Sequence, residues 1–226
     1  MLEIPTSNFK IISPKILKWS IEQVSLYKKI ISFVDRIDSF KSPRVQLEQY
    51  SFPSDMIAFI LIMASDDITG QNVVDLGCGT GKFTLPLQKF FSNRILGVDI
   101  DPIAINTLRK LGKQENLIID LLITSVEFLE PNNWRKKYHT TLMNPPFGTK
   151  RRKIDFVFLK QALRYSQTVI SIHKSNPKSW NLINSLGSQH GKKVKILATV
   201  TYPLFPSFPF HTKKRHLINV DIIRIK

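Results

Sequence analysis

The run Asn144-Pro145-Pro146-Phe147 carries the clearest chemical signature in the chain. The Asn144 side-chain oxygen and the Pro145 carbonyl are two hydrogen-bond acceptors set next to each other. Such a pair can take both hydrogens of a planar amine and turn its lone pair toward an electrophile, which favours the transition state over the ground state. The consecutive prolines restrict φ and hold that carbonyl in place. Phe147 then offers an aromatic face on which an extruded base can stack. The same four residues also read as a proline-terminated strand followed by a core phenylalanine. As chemistry, they specify a planar amine, whether adenine N6 or a glutamine amide. No general base is required, because the nitrogen can release its extra proton to solvent after transfer. Positioning of two bound reactants would supply most of the acceleration.

A source for the electrophile lies upstream, where Val73-Val74-Asp75-Leu76 runs into Gly77-Cys78-Gly79-Thr80-Gly81. A strand entering a glycine-rich turn lets the backbone approach a ligand with no Cβ in the way. The spacing of Gly77, Gly79 and Gly81 differs from the Gly-x-Gly-x-x-Gly of dinucleotide sites. Asp75, just before the turn, suits a ligand with a charged amino-acid end. Asp99 follows Gly77 by 22 residues, where an acid at a strand end accepts both ribose hydroxyls. Asp99 or Asp101 could instead cap the helix that begins near Pro102; Asp101 fits the cap and Asp99 the ribose. Together the turn and the acid indicate S-adenosylmethionine.

Strand ends must hold these residues, and the sequence supplies them. Apolar strand-like runs occur at 73–76, 95–98, 117–124, 140–143 and 168–172, alternating with helical patterns at 83–92, 102–113 and 155–166. Alternation of this kind predicts an α/β fold with a mainly parallel sheet, right-handed crossovers and helices on both faces. Two further runs, 194–201 and 217–225, are joined by a Pro- and Phe-rich loop too short for a helical crossover and predict an antiparallel pair. Upstream, apolar positions at helical spacing predict a helix over 16–33, and a second helix follows Pro53, with Ser54 as its cap. Residues 1–13 read as a loosely attached arm. The organisation expected is an N-terminal arm and helix over 1–40 and a catalytic domain over 41–226.

Charge is divided unevenly. Residues 1–130 hold 14 Lys/Arg and 15 Asp/Glu, whereas residues 131–226 hold 19 Lys/Arg and only Asp155 and Asp221. A net of −1 in one part and +17 in the other points to a basic surface for a polyanion, although a generally basic proteome would also raise the total. Lys150, Arg151, Arg152 and Lys153 follow the Asn-Pro-Pro-Phe motif directly and are candidate RNA contacts, as are Lys213 and Lys214 in the last loop. Both clusters also read as solvated surface. His173 and Lys174 could contact the target nucleotide, or His173 could satisfy a loop carbonyl. The single cysteine, Cys78, excludes an internal disulfide and a thiolate zinc cluster, so no metal is expected. The N-terminus lacks an export signal and no apolar run reaches membrane-spanning length; a cytoplasmic setting and no membrane partner are expected.

With these residues assembled, the chain resembles the methyltransferase-like protein 5 family, the N6-adenine methyltransferases of small-subunit ribosomal RNA. The resemblance spans about residues 24–226. It rests on Leu47-Glu48-Gln49-Tyr50, Asp75-Leu76-Gly77-Cys78-Gly79, Asn144 to Lys150, Ser171-Ile172-His173-Lys174-Ser175 and Val220-Asp221-Ile222-Ile223-Arg224. It implies a class I methyltransferase (Rossmann-like) fold of seven strands in the order 3-2-1-4-5-7-6. It further implies that Gln49, Gly77, Thr80 and Lys82 line the cofactor and that Asp99 holds its ribose. Ser125 stands where the family has an acid near the cofactor adenine, and Phe52 where it has a threonine. The family binds a small zinc-containing methyltransferase activator protein. A heterodimer through the apolar edge strand 117–123 is therefore expected, with the metal in the partner. Two other functions fit the same motifs: N-methylation of DNA adenine or protein glutamine, and a ribosome-binding protein whose catalysis has lapsed.

Overall fold

The structure is a computed structural model that describes residues 6–13, 18–40, 43–50, 52–130, 138–148, 150–204 and 216–226. Its strands are β1 (Lys10–Ser13), β2 (Asn72–Leu76), β3 (Arg94–Asp99), β4 (Asp120–Ile123), β5 (Thr140–Met143), β6 (Thr168–Lys174), β7 (Val194–Leu204) and β8 (His216–Ile225). They form one sheet in the order β1-β7-β8-β6-β5-β2-β3-β4. Pairing is parallel from β4 through β3, β2 and β5 to β6, and antiparallel from β6 through β8 and β7 to β1. Read from β4, the seven expected strands stand in the expected order.

The eighth strand corrects the expectation of seven. β1 comes from the arm read as loosely attached, and it pairs Lys10 with Thr201 and Ile11 with Val200 along the edge of β7. Two further ties hold it: the Asp55 carboxylate accepts the backbone N–H of Ser7 and Asn8, at 3.0 and 2.9 Å, and the Phe9 ring packs 5.2 Å from Phe59. Four residues with three exposed side chains carry no period-2 pattern, so the strand leaves no trace in the sequence.

Helices cover both faces. On one side lie α1 (Ile21–Val34), α2 (Ser54–Met63), the single-turn α3 (Ser65–Ile68), α4 (Thr84–Phe90) and α5 (Pro102–Gln114). On the other lie α6 (Ile154–Tyr165) and α7 (Pro177–Gln189), which bury Leu159, Leu163, Ile183 and Leu186 in a second core layer. Ser20 starts α1 with a reciprocal cap, its hydroxyl accepting from Gln23 N–H while the Gln23 side chain accepts from Ser20 N–H. α2 is buried on all sides from Asp55 to Ile62, which stabilises its placement by roughly 1.5–3 kcal/mol for each large apolar side chain. Ser54 does not cap it: Pro53 occupies that position.

α7 was not anticipated, yet its start is written as Asn176-Pro177, a cap that accepts Ser179 N–H at 2.8 Å followed by proline in the first turn. The apolar run at 117–124 yields only the four-residue β4. Asn116 adopts a left-handed φ of 54° and Leu117 N–H donates to Gly112 O at 2.8 Å, so the run's first residues close the end of α5. Among the described residues, no helix is long and apolar enough to cross a membrane.

Candidate active site

The glycine turn, the acid and the Asn-Pro-Pro-Phe motif meet because β2, β3 and β5 are adjacent parallel strands and all three motifs sit at carboxyl ends. Gly77 and Cys78 both donate their N–H to Val98 O, at 2.8 and 3.0 Å, which pins the turn to β3. At Gly79 the φ is 54°, and an added Cβ would lie 2.8 Å from the Phe40 ring. At Gly81 it would lie 2.3 Å from a Leu108 methyl, at a φ of 95°. These two positions therefore require glycine. The Asp99 carboxylate accepts Gly79 N–H with one oxygen and Asp101 N–H with the other, both at 2.8 Å. Asp101 caps α5 through Ile103 N–H at 3.0 Å, and Gln49 Nε2 donates to its second oxygen at 2.7 Å.

A cleft open to solvent runs across these strand ends. Gln49, Phe52, Gly77, Gly79, Thr80, Lys82, Asp99 and Ser125 of the expected cofactor residues line it, together with Asn144 and Pro146. Burial lowers the proton affinity of the Lys82 ammonium, with Asp35 and Asp38 acting against that effect. The Asn144 Oδ1 atom is buried and has no hydrogen-bond partner among the described residues. An orphaned buried acceptor costs about 1–3 kcal/mol, and Asn144 is one of the residues that line the cleft. Pro145 and Phe147 flank this point: Pro145 O accepts the Tyr50 hydroxyl at a long 3.4 Å, and the Tyr50 and Phe147 rings lie 5.2 Å apart.

Asp75 differs from the expectation of direct cofactor contact. It is buried beneath the turn, outside the cleft lining, and accepts the Thr84 hydroxyl at 2.6 Å. Burial pushes its carboxyl up from an ordinary 3.8 to about 7, with the nearby Asp99 charge adding and the Thr84 hydrogen bonds opposing. The folded-state value is raised, so the stability it contributes is present below about pH 4 and is lost as pH rises through about 7. Asp75→Asn, which keeps the Thr84 acceptor without the charge, should therefore raise Tm at pH 8. Relief of about 2 kcal/mol corresponds to roughly 4–8 °C in a domain of this size. The gain should vanish at pH 4; thermal scans at both pH values check it.

Residues 54–169 match the Methyltransferase small domain family. Mettl5 of Drosophila melanogaster, an rRNA N6-adenosine-methyltransferase, is 31% identical over 205 residues, spanning 88% of this chain and 95% of its own length. METTL5 of Danio rerio, of the same name, is 32% identical over 203 residues, spanning 87% and 97%. The chain belongs to the methyltransferase-like protein 5 family. The crystal structure of PH1948 from Pyrococcus horikoshii matches it with a TM-score of 0.77 at 28% identity, covering 89% of this chain and 98% of that one. The branched-chain polyamine synthase of Thermus thermophilus shares the fold at a TM-score of 0.67 and 13% identity, covering 89% of this chain and 63% of that one. Fold alone therefore does not name the acceptor, and the site must.

Phe52 and Ser125, the two positions where the resemblance implies other residue types, both line the cleft. Phe52 is buried, edge-on to Tyr202 at 4.9 Å. Ser125 caps the short 3-10 turn Val126–Phe128, where its hydroxyl contacts Glu127 N–H and carboxylate at 3.5 Å. The expected RNA contacts separate. Lys150, Arg152, Lys153 and Lys174 are exposed at the active-site end. Arg151, which lines the cleft, is held by a two-pronged ion pair to Glu127 at 2.6 and 2.9 Å. His173 is not a surface contact: it is 1% exposed, with Nε2 bonded to Ser171 Oγ at 2.7 Å and Nδ1 3.5 Å from Asp155. β6 is covered at that point by the Phe156 ring of α6, stacked 6.0 Å away. Lys213 and Lys214 lie outside the described residues. Glu48 and Tyr50, which the sequence offers only as part of the family resemblance, and Phe40 also border the cleft; no spacing rule gives them a role, since each belongs to an irregular segment.

Proposed function

We propose that this protein transfers the methyl group of S-adenosylmethionine to the exocyclic N6 of a single adenine in small-subunit ribosomal RNA. The observation that carries the reading is the unpaired, buried Asn144 Oδ1 in the same cleft as the glycine cradle and Asp99. The cradle fits the cofactor's nucleoside and amino-acid parts: Asp99 presents a carboxylate to the ribose hydroxyls and Lys82 a cation to the carboxyl end. When bound, S-adenosylmethionine supplies an electrophilic methyl group. Asn144 Oδ1 takes one N6 hydrogen, and Pro145 O takes the other through the lone pair that Tyr50 leaves free. Phe147, braced by Tyr50, stacks the base. The exposed Lys150, Arg152, Lys153 and Lys174 hold the flanking phosphates. Radiolabelled methyl transfer to ribosomal RNA, DNA and a glutamine peptide, followed by nucleoside analysis, tests the assignment. Label in N6-methyladenosine of the small-subunit RNA is expected, and preferred labelling of DNA or peptide would overturn it.

The same reading includes a protein partner on the open edge of the sheet. Among the described residues β4 has no neighbour on its outer side, and Ile123 of β4, Ile118 and Ile100 in the adjoining loops, Ile103 at the start of α5 and Phe128 of the 3-10 turn are exposed. Unpaired strand groups beside an apolar patch support strand addition by a small zinc-bearing activator protein, with the metal in that partner. Ile123→Lys should weaken the heterodimer at least tenfold, one buried charge being worth more than 1.4 kcal/mol. Cofactor binding should be unchanged. Titration of the partner checks this, and a soluble, fully active monomer would count against the partner.

A further inference from the structure

Three consecutive residues ahead of the first core strand are bonded to three different parts of the site. Glu48 Oε1 accepts Lys150 N–H at 2.9 Å, just beyond the Gly148 turn that ends the Asn-Pro-Pro-Phe loop. Gln49 Nε2 donates to Asp101 at 2.7 Å, beside the ribose acid, and its Oε1 accepts Arg44 N–H at 2.7 Å. Tyr50 reaches Pro145 O with its hydroxyl and Phe147 with its ring. Phe52 completes the segment against Phe83 of the cofactor turn, ring centroids 6.3 Å apart. One short strap therefore touches both the wall that holds the cofactor and the loop that grips the amine.

The backbone of the strap is strained at the point of contact. Glu48 has φ 50° and ψ 41°, a left-handed conformation that a residue with a Cβ adopts at a cost. Glycine would be the relaxed choice there. What Glu48 brings that glycine cannot is its carboxylate on Lys150 N–H. Strain kept for a side chain that holds the acceptor loop is strain tied to function rather than to folding.

We infer that Glu48 and Tyr50 are positioning residues for methyl transfer, and that the strap sets the separation between the cofactor cradle and the Asn144–Phe147 loop. In-line transfer depends steeply on that separation: a 1 Å misplacement can slow a reaction about 100-fold without loss of either ligand. This inference rests on the proposed methylation of RNA adenine.

The test uses the full chain with Glu48→Gly, Glu48→Gln and Tyr50→Phe. Four quantities are read: Tm, binding of S-adenosylhomocysteine, kcat and KM for the RNA, and amide hydrogen exchange across residues 143–153. Glu48→Gly should keep or raise Tm, leave S-adenosylhomocysteine affinity within about threefold, speed exchange at Lys150 and lower kcat by roughly 10- to 100-fold. Glu48→Gln keeps one acceptor oxygen and should fall between. Tyr50→Phe retains the ring and should lower kcat by about tenfold with RNA KM little changed. A Glu48→Gly variant with wild-type kcat would overturn the inference, as would a loss of kcat that merely tracks lost folding or lost cofactor affinity. If the unaltered protein fails to methylate RNA adenine, the proposed function fails instead, and the exchange readout still reports whether Glu48 holds the loop.

Discussion

Asn144→Ala is expected to lower kcat by about 10²–10³-fold while cofactor and RNA affinities stay within a few-fold of normal. The magnitude is that of removing one preorganised hydrogen-bonding group from a site where charge rearranges in the transition state. In the proposed reaction Asn144 accepts an N6 hydrogen once a base is in place, and in the free protein its Oδ1 has no hydrogen-bond partner among the described residues. The substitution therefore removes an orphaned buried acceptor from the free protein, which by itself costs about 1–3 kcal/mol. Stability should hold or rise as activity collapses, the trade expected where a group is kept for function. Single-turnover methylation, S-adenosylhomocysteine titration and a thermal scan on one preparation check all three parts. A variant with full activity would remove Asn144 from the chemistry. An inactive variant that still supports the cell would show that RNA binding is the protein's main contribution.

Asp99→Asn should act on cofactor affinity and leave the chemical step alone. In the native protein each carboxylate oxygen accepts one backbone N–H, from Gly79 on the turn and from Asp101 at the entry to α5. Burial pushes the carboxyl up, while those two N–H groups and that of Ile100 oppose the shift. An asparagine replaces one acceptor with an NH2 donor. One of the two backbone groups then faces another donor, and the ribose loses part of its anionic anchor. Hydrogen bonds to a charged group are worth about 1.5–3 kcal/mol each, so cofactor affinity should fall by roughly 10- to 100-fold. Saturating cofactor should restore kcat to near normal, in contrast to Asn144→Ala. Calorimetric titration of S-adenosylhomocysteine and kcat at rising cofactor concentration separate the outcomes; an unchanged Kd would place the ribose elsewhere.

What could be seen in the chain beforehand was local. The glycine turn, the acid after β3 and Asn144-Pro145-Pro146-Phe147 are contiguous or closely spaced motifs, and the alternation of apolar runs with helical patterns dictated a parallel sheet. Once β2, β3 and β5 are neighbours, the three motifs must converge at their carboxyl ends, so the site followed from the order of strands. Helix α7 announces only its start, through Asn176-Pro177, because its buried apolar positions are too few to carry a helical period. β1 was not legible, because what makes it a strand is the bare edge of β7 some 190 residues away along the chain.

Composition fared similarly. The basic bias after residue 130 is plain in the sequence, but its distribution in space is not. Lys150, Arg152, Lys153 and Lys174 face the active-site end, whereas Lys195 pairs with Arg224 and Lys193 with Lys226 at the opposite end of the sheet. Arg151 is taken up by Glu127, and His173 lies in the core under α6.

The amino-acid sequence by itself determined the class of fold, the cofactor turn and the pair of acceptors for a planar amine, because each is encoded in residues close together along the chain. Tertiary structure alone decided which cations stand exposed at the active-site end, that Asp75 supports the turn from below, and that Glu48 and Tyr50 contact a loop 102 and 95 residues further on. Contacts of that separation depend on where the backbone finally packs, and no local pattern of residue types records them.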